Sequence, residues 1–314
     1  MGAGLGAASL GAVLVVLYTA LISSADAITK LIAGGYSAPQ LYCLSGLIVM
    51  GLCLLSDRHP SQRRGFATKC PRTMALRSGA AVLASIAFFY AFKFLPLAEV
   101  FLFVGLIPIM AGFMSAAILD EHVRPSAWVA LAAGFVGVLF LFPGGFDSMS
   151  VGHLFALGGA VIGTFSMVLT RYIGRYENNA LAQVFFPNAA IFVTMAIALP
   201  FVWRPMPLSD LAWVGVYAAL LFGARWLLVV ALRLLAAYVV TPLMNLQFVW
   251  MVILGAVFFG EFPASGTYLG VAIVIASGLY LIWDQFAPMS HRPNVNRWSG
   301  LSLTGLIQPF KTDP

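Results

Sequence analysis

Two ionisable side chains fall well inside long apolar runs: Asp26 in LISSADAITK and Arg225 in FGARWLLVV. A charge in hydrocarbon is expensive, so such residues face a cavity or a partner and mark substrate sites or proton relays. Asp26 has Ser23 and Ser24 beside it and Lys30 one turn on, on the same helix face. It reads either as a substrate or proton site or as a local pair with Lys30, whose ammonium would snorkel outward. Arg225 calls for an anion. Asp26, Glu99 or a carboxylate or phosphate of a substrate would each serve, and so would a buried structural pair between the two halves of the chain.

Uncharged polar groups form a second tier. Asn245 and Gln247 lie in one apolar run with Tyr238 and Thr241 near its start, and Thr164, Ser166 and Asn188 lie in earlier runs. Such amides and hydroxyls bond across helices for roughly 0.6 kcal/mol on average, or they converge on a cavity and read a substrate. Phe88, Phe89, Tyr90 and Phe92 cover every face of one helix, so one or two of them can line a cavity. Tyr90 is the candidate for stacking on a planar ring, against simple packing. No GxxxxGK[ST] loop is present to bind ATP. His59, His122, His153 and His291 have no metal-ligand spacing, and the three cysteines form no CxxC. No catalytic constellation and no cofactor site is expected, and hence no enzyme.

The elements that hold these residues follow from composition. Of 314 residues only 9% are charged and 61% are hydrophobic, with a mean hydropathy of +0.95. A soluble surface needs roughly 25% charge, and disorder needs low hydrophobicity. The expected class is an all-α polytopic membrane protein, because helices satisfy their own backbone groups in lipid. Ten apolar segments long enough to cross can be marked, at 8–30, 38–55, 77–94, 97–119, 126–142, 151–173, 179–200, 211–232, 237–259 and 265–283. The N-terminus has no basic residue before Lys30 and reads as a retained span, not a signal peptide.

Basic residues set the orientation. With a cytoplasmic N-terminus, thirteen lie inside: Arg58, Arg63, Arg64, Lys69, Arg72, Arg77, Arg124, Arg171, Arg175, Arg233, Arg292, Arg297 and Lys311. Only Lys30, Lys93 and Arg204 lie outside. Both termini are expected in the cytoplasm, and the basic loop is a topology signal and a contact for anionic lipid, with no role for nucleic acid.

Residues 93–121 align without a gap on 233–261. Lys93 meets Arg233, Leu95 meets Leu235, and Glu121 meets Glu261 as matched repeat marks. Five spans per half is odd, so the halves, 1–142 and 143–285, would be inverted, with residues 286–314 as a cytoplasmic tail. Inverted repeats are a signature of secondary transporters with a midplane site.

The stretches FFYAFKFLPLAEVFLFVGLIPIMAGFMSAAILDEHVRPSAWVALAAGFVGVLFL and LLAAYVVTPLMNLQFVWMVILGAVFFGEFPASGTYLGVAIVIASGLYLI resemble the ten-helix EamA-type carriers of the drug/metabolite transporter superfamily. The likeness covers about residues 8–285. SSADAITK and LTRYIGRYE look like the branch of riboflavin and S-adenosylmethionine carriers. The chain departs from the family in having Ser45 and Gly46 where an arginine often stands in the second span. Pro108 stands in the fourth helix, but Phe248 holds its repeat position. The resemblance implies a helical bundle with a central cavity and alternating access in a bacterial inner membrane. The expected cargo is a small metabolite. Riboflavin uptake narrowly leads S-adenosylmethionine exchange and amino-acid export. A coupling proton and a homodimer stay open, and a non-transporting scaffold with an apolar centre is the competing class.

Overall fold

The computed structural model of the chain describes residues 2–58, 65–120, 150–235 and 243–261, with Trp128, Val129, Ala132, Val240 and Ala276 besides. It is helical, with no strand among the described residues. The helices are α1 (Gly2–Ala33), α2 (Ala38–Asp57), α3 (Pro71–Phe94), α4 (Leu97–Val104), α5 (Ile107–Leu119), α6 (Val151–Tyr176), α7 (Ala180–Val202), α8 (Leu208–Leu234) and α9 (Gln247–Leu254), and α9 runs on into a π turn at Gly255–Phe259. Six of them, α1, α2, α3, α6, α7 and α8, are long and apolar enough to cross a bilayer. The chain is a multi-pass membrane protein. The segments expected at 126–142 and 265–283, the residues Glu121, Tyr238 and Thr241, and the tail 286–314 lie outside the described residues, save for isolated positions.

The third helix begins at Pro71, six residues before the hydropathy boundary. Proline suits the first helical turn because its missing N–H is unsatisfied there anyway. The first two turns carry Arg72, Thr73, Arg77 and Ser78, which hide them from a hydropathy scan. Arg77 therefore leaves the loop to which the charge count assigned it. It is 8% exposed, inside the bundle.

The fourth expected span is two helices. Gly105 and Leu106 separate α4 from α5, with Leu106 N–H reaching only to Phe103 O. Pro108, in the first turn of α5, has no N–H for the carbonyl four residues back. The corresponding break precedes α9, where Leu246 N–H bonds Leu243 O. Here Phe248 stands in the proline position, and nothing in the described residues explains the break. Further marks share the same spacing. Leu95 and Leu235 both cap in extended backbone. Asp120 (φ 52°) and Gly260 (φ 64°) both end their helices in the left-handed region. Aspartate tolerates that region better than most side chains do.

Packing follows a matching pattern. The most extensive contacts pair α3 with α6, α1 with α8, and α2 with α7. Each joins a helix before residue 120 to one after 150. Close approach at two of these seams depends on glycine. A Cβ on Gly11 of α1 would sit 2.8 Å from Leu235, and one on Gly152 of α6 would sit 2.8 Å from Leu95. The two apolar cores behind these seams contain Val15, Leu97, Val100 and Leu232, and Leu41, Phe89, Ile191 and Met195, all nearly solvent-free.

Candidate functional site

A cavity of about 240 Å³ lies among α1, α2, α3, α6, α7 and α8, with residues of α4, α5 and α9 also in its lining. Three side chains of the charged types line it: Asp26 from α1, Arg77 from α3 and Arg225 from α8. Tyr18, Tyr42 and Tyr217 line it too, with Phe88, Phe92 and Phe101 as apolar wall. The rings of Tyr42 and Tyr217 lie 6.4 Å apart. Thr29, Ser166, Thr170 and Gln247 add hydrogen-bonding groups.

Each arginine is positioned by local backbone chemistry. Pro187 interrupts the ladder of α7, so the carbonyl of Gln183, four residues earlier, has no helical N–H to accept. Arg77 donates to that carbonyl from one terminal nitrogen and to Thr170 Oγ1 from Nε at 2.6 Å. Ser166 Oγ returns a bond of 3.1 Å to the Arg77 carbonyl. One residue beyond the proline, Asn188 donates to Val184 O at 2.7 Å and accepts from Arg225 at 2.9 Å. A single proline on α7 thus sits between the anchor points of both guanidiniums.

The anchors use few of the five N–H donors that each guanidinium carries. Among the described residues neither arginine has an ion pair, and Asp26 has no hydrogen bond or ion pair. The local pairing of Asp26 with Lys30 is not what forms. Lys30 instead reaches Glu261 at 2.5 Å, just beyond the π turn that follows α9. Nor does Arg225 meet Asp26 or Glu99 in an ion pair. Glu99, in the first turn of α4, lies 3.3 Å from His153 Nε2.

The other expected site residues divide. Gln247 lines the cavity, and its carbonyl accepts a 3.4 Å bond from Ser23 that ties α9 to α1. Asn245 is buried at the break before α9, where its carbonyl accepts from Phe248 N–H. It does not line this cavity. Tyr90 lies off the cavity as well, stacked 5.3 Å from Phe155 and 6.1 Å from Phe94. Its neighbours Phe88 and Phe92 take the cavity face. Glu261 sits at the end of the bundle, holding Leu97 N–H at 3.3 Å besides Lys30. Arg77, Tyr18, Tyr42 and Tyr217 are the site residues that sequence reasoning passed over. The signal for Arg77 was Pro71 as a helix start. For the tyrosines there was none beyond their place in apolar runs.

Residues 4–142 match the EamA-like transporter family. Among curated relatives, a riboflavin transporter of Brucella anthropi is 24% identical over 62% of this chain and 70% of its own length. An uncharacterized transporter of Helicobacter pylori is 23% identical over 82% of the chain and 89% of its own. An S-adenosylmethionine uptake transporter of Rickettsia bellii is 23% identical over 59% and 64%. A solved crystal structure of a protein superposes with a TM-score of 0.66 at 18% identity, covering 87% of this chain and 96% of that one. The similarity to that structure is one of fold.

Proposed function

We propose that this chain, which matches the EamA-like transporter family over residues 4–142 and is similar to riboflavin and S-adenosylmethionine transporters, is a secondary carrier of the drug/metabolite transporter superfamily. It moves a small metabolite across a bacterial inner membrane by alternating access, with ten spans in two inverted repeats and both termini in the cytoplasm. The observation that carries this reading is the central cavity, whose three side chains of the charged types have no ion pair within the described residues. Charge of this kind in a bilayer belongs to a transported solute or a coupling ion. A scaffold would fill the same centre with apolar side chains. Support for the inverted repeat comes from the breaks, caps and seams that recur at one spacing.

Riboflavin uptake is the first choice of cargo. The names of relatives favour it, and so do Phe88, Phe92 and Phe101, which offer rings to a planar body. Arg77 and Arg225 offer donors to the carbonyl edge of a flavin. One observation favours a second reading: Asp26 and the arginines present both signs of charge to one space, which suits a zwitterion such as S-adenosylmethionine or an amino acid. Asp26 is also the carboxyl able to carry a coupling proton. The test is uptake of labelled riboflavin, S-adenosylmethionine and amino acids into cells lacking their own carriers, with Asp26→Asn and Arg225→Gln alongside. The expected result is transport of one cargo that Arg225→Gln lowers sharply and that Asp26→Asn strips of its pH dependence. Full transport by both variants with unchanged pH dependence would remove the site.

A further inference from the structure

The turn between α1 and α2 meets the turn between α7 and α8 at the end of the bundle opposite the loop that carries Arg58 and Lys69. A second cavity of about 370 Å³ lies there, lined by residues 33–37, by Lys93 from the last turn of α3, and by residues 201–204. This end has three described basic residues, Lys30, Lys93 and Arg204. Lys30 is matched by Glu261. The other two line the same cavity, and no carboxylate lines it with them.

Both cations are open. Lys93 is exposed and makes no ion pair or side-chain hydrogen bond among the described residues. The guanidinium of Arg204 donates to Gly35 O at 3.2 Å. The hydroxyl of Tyr36, which lines the cavity, donates to Asp210 at 2.6 Å. The rim is also built. Gln40, fully buried on α2, donates to Arg204 O at 2.5 Å and accepts from Arg204 N–H at 3.1 Å. That clamp fixes the backbone of Arg204 over the cavity. Beside it the surface is made for lipid: Phe201 is 86% exposed and Trp203 49%. Tryptophan at this position matches the aromatic belt at the membrane boundary.

We propose that this cavity binds a phosphate group, held by Lys93 and Arg204, and that its source is the headgroup of an anionic phospholipid whose chains lie along Phe201 and Trp203. The cations supply the charge and Gln40 the geometry. The exposed rings give a lipid an advantage that a free anion lacks. The assignment is independent of which solute crosses the central cavity.

Trp203 reports on the site directly. The full chain is reconstituted in phosphatidylcholine vesicles containing a minor fraction of phosphatidylglycerol, with brominated acyl chains on one lipid at a time. The Trp203 signal is the difference in emission between wild type and Trp203→Phe. Two cations at a membrane surface predict a preference for brominated phosphatidylglycerol of roughly tenfold over its bulk fraction. The preference is lost in Lys93→Gln/Arg204→Gln and kept in Arg58→Gln at the opposite end. Equal quenching by both lipids, or a preference that survives in the double variant, overturns the proposal. Abolition of the preference by millimolar inorganic phosphate overturns the lipid source in favour of a free anion.

Discussion

The central cavity and the Lys30–Glu261 knot at one end of the bundle treat charge in opposite ways. At the end, the Lys30 ammonium is matched three times over: by Glu261, by Leu95 O at 3.5 Å, and by the Phe259 ring, 5.3 Å from its centroid. Glu261 in turn takes Leu97 N–H. One knot joins α1, the start of α4 and the turn after α9. In the cavity, Asp26, Arg77 and Arg225 have only neutral partners or none among the described residues. Charges that serve the fold are closed within the chain, whereas those that face the cavity leave donors unspent. Buried charge without a counter-ion costs stability, so its retention points to something that arrives from outside.

The largest expected effect tests the open half of this contrast. A hydrogen bond to a charged group contributes about 1.5–3 kcal/mol, which is roughly ten- to a hundredfold in affinity. Arg225→Gln should lower uptake by about that factor while the melting temperature holds or rises, because an uncompensated charge has been removed. Arg77→Gln should lower both, since it also strips the partner from Gln183 O and Thr170. An Arg225 variant that loses stability as Arg77 does would break the comparison. Asp26→Asn sharpens it on the other sign: uptake by this variant should lose its pH dependence, measured in vesicles with an imposed proton gradient.

The closed half predicts a smaller and different loss. The Lys30 and Glu261 side chains are 16% and 31% exposed, so the pair is partly shielded from water. Glu261→Gln should cost about 2 kcal/mol, a fall of a few degrees in melting temperature, with unfolding measured in detergent. The exchange Lys30→Glu/Glu261→Lys should recover part of that loss. Full recovery is not expected, because a lysine at 261 cannot accept from Leu97 N–H. No loss in the single variant would mean that the knot is ornamental.

Sequence made the helices legible because lipid imposes one rule on every span, a long apolar run, and α2, α6, α7 and α8 fall close to their hydropathy bounds. The rule fails where a helix opens with polar residues, which is why Arg77 read as a loop charge. Asp26 and Arg225 were legible as cavity candidates because each is a charge well inside a long apolar run. Which neighbours they would meet was not legible. The candidate partners were all charged, and the actual anchor of Arg225 is an amide, positioned one residue after Pro187. Tyr90 and Asn245 show the remaining limit. Composition places them in a span, but rotation about the helix axis decides what they face, and only packing sets that rotation. At Tyr90 the faces of α3 were filled by Phe88 and Phe92 toward the cavity and by Tyr90 toward Phe94 and Phe155.

The smallest effect belongs to a neutral donor at the same end as the Lys30 knot. Tyr36 donates to Asp210 at 2.6 Å across the α1–α2 and α7–α8 turns. Donation to a carboxylate holds the phenol protonated, so its pKa lies above the ordinary value of about 10. For a group raised on folding, the stabilisation is complete below the unfolded value and is lost as pH climbs through the folded one. Tyr36→Phe should therefore lower the melting temperature by less than Glu261→Gln, by an amount constant between pH 6 and 9. Above pH 10 the gap between wild type and variant should close. Uptake at neutral pH should be unaffected, because this bond lies outside the cavity. A gap that varied across pH 6–9 would show that a different group titrates there. The Tyr36–Asp210 bond would then not be a closed contact of the fold, and it would no longer stand beside the Lys30 knot in the contrast with the cavity.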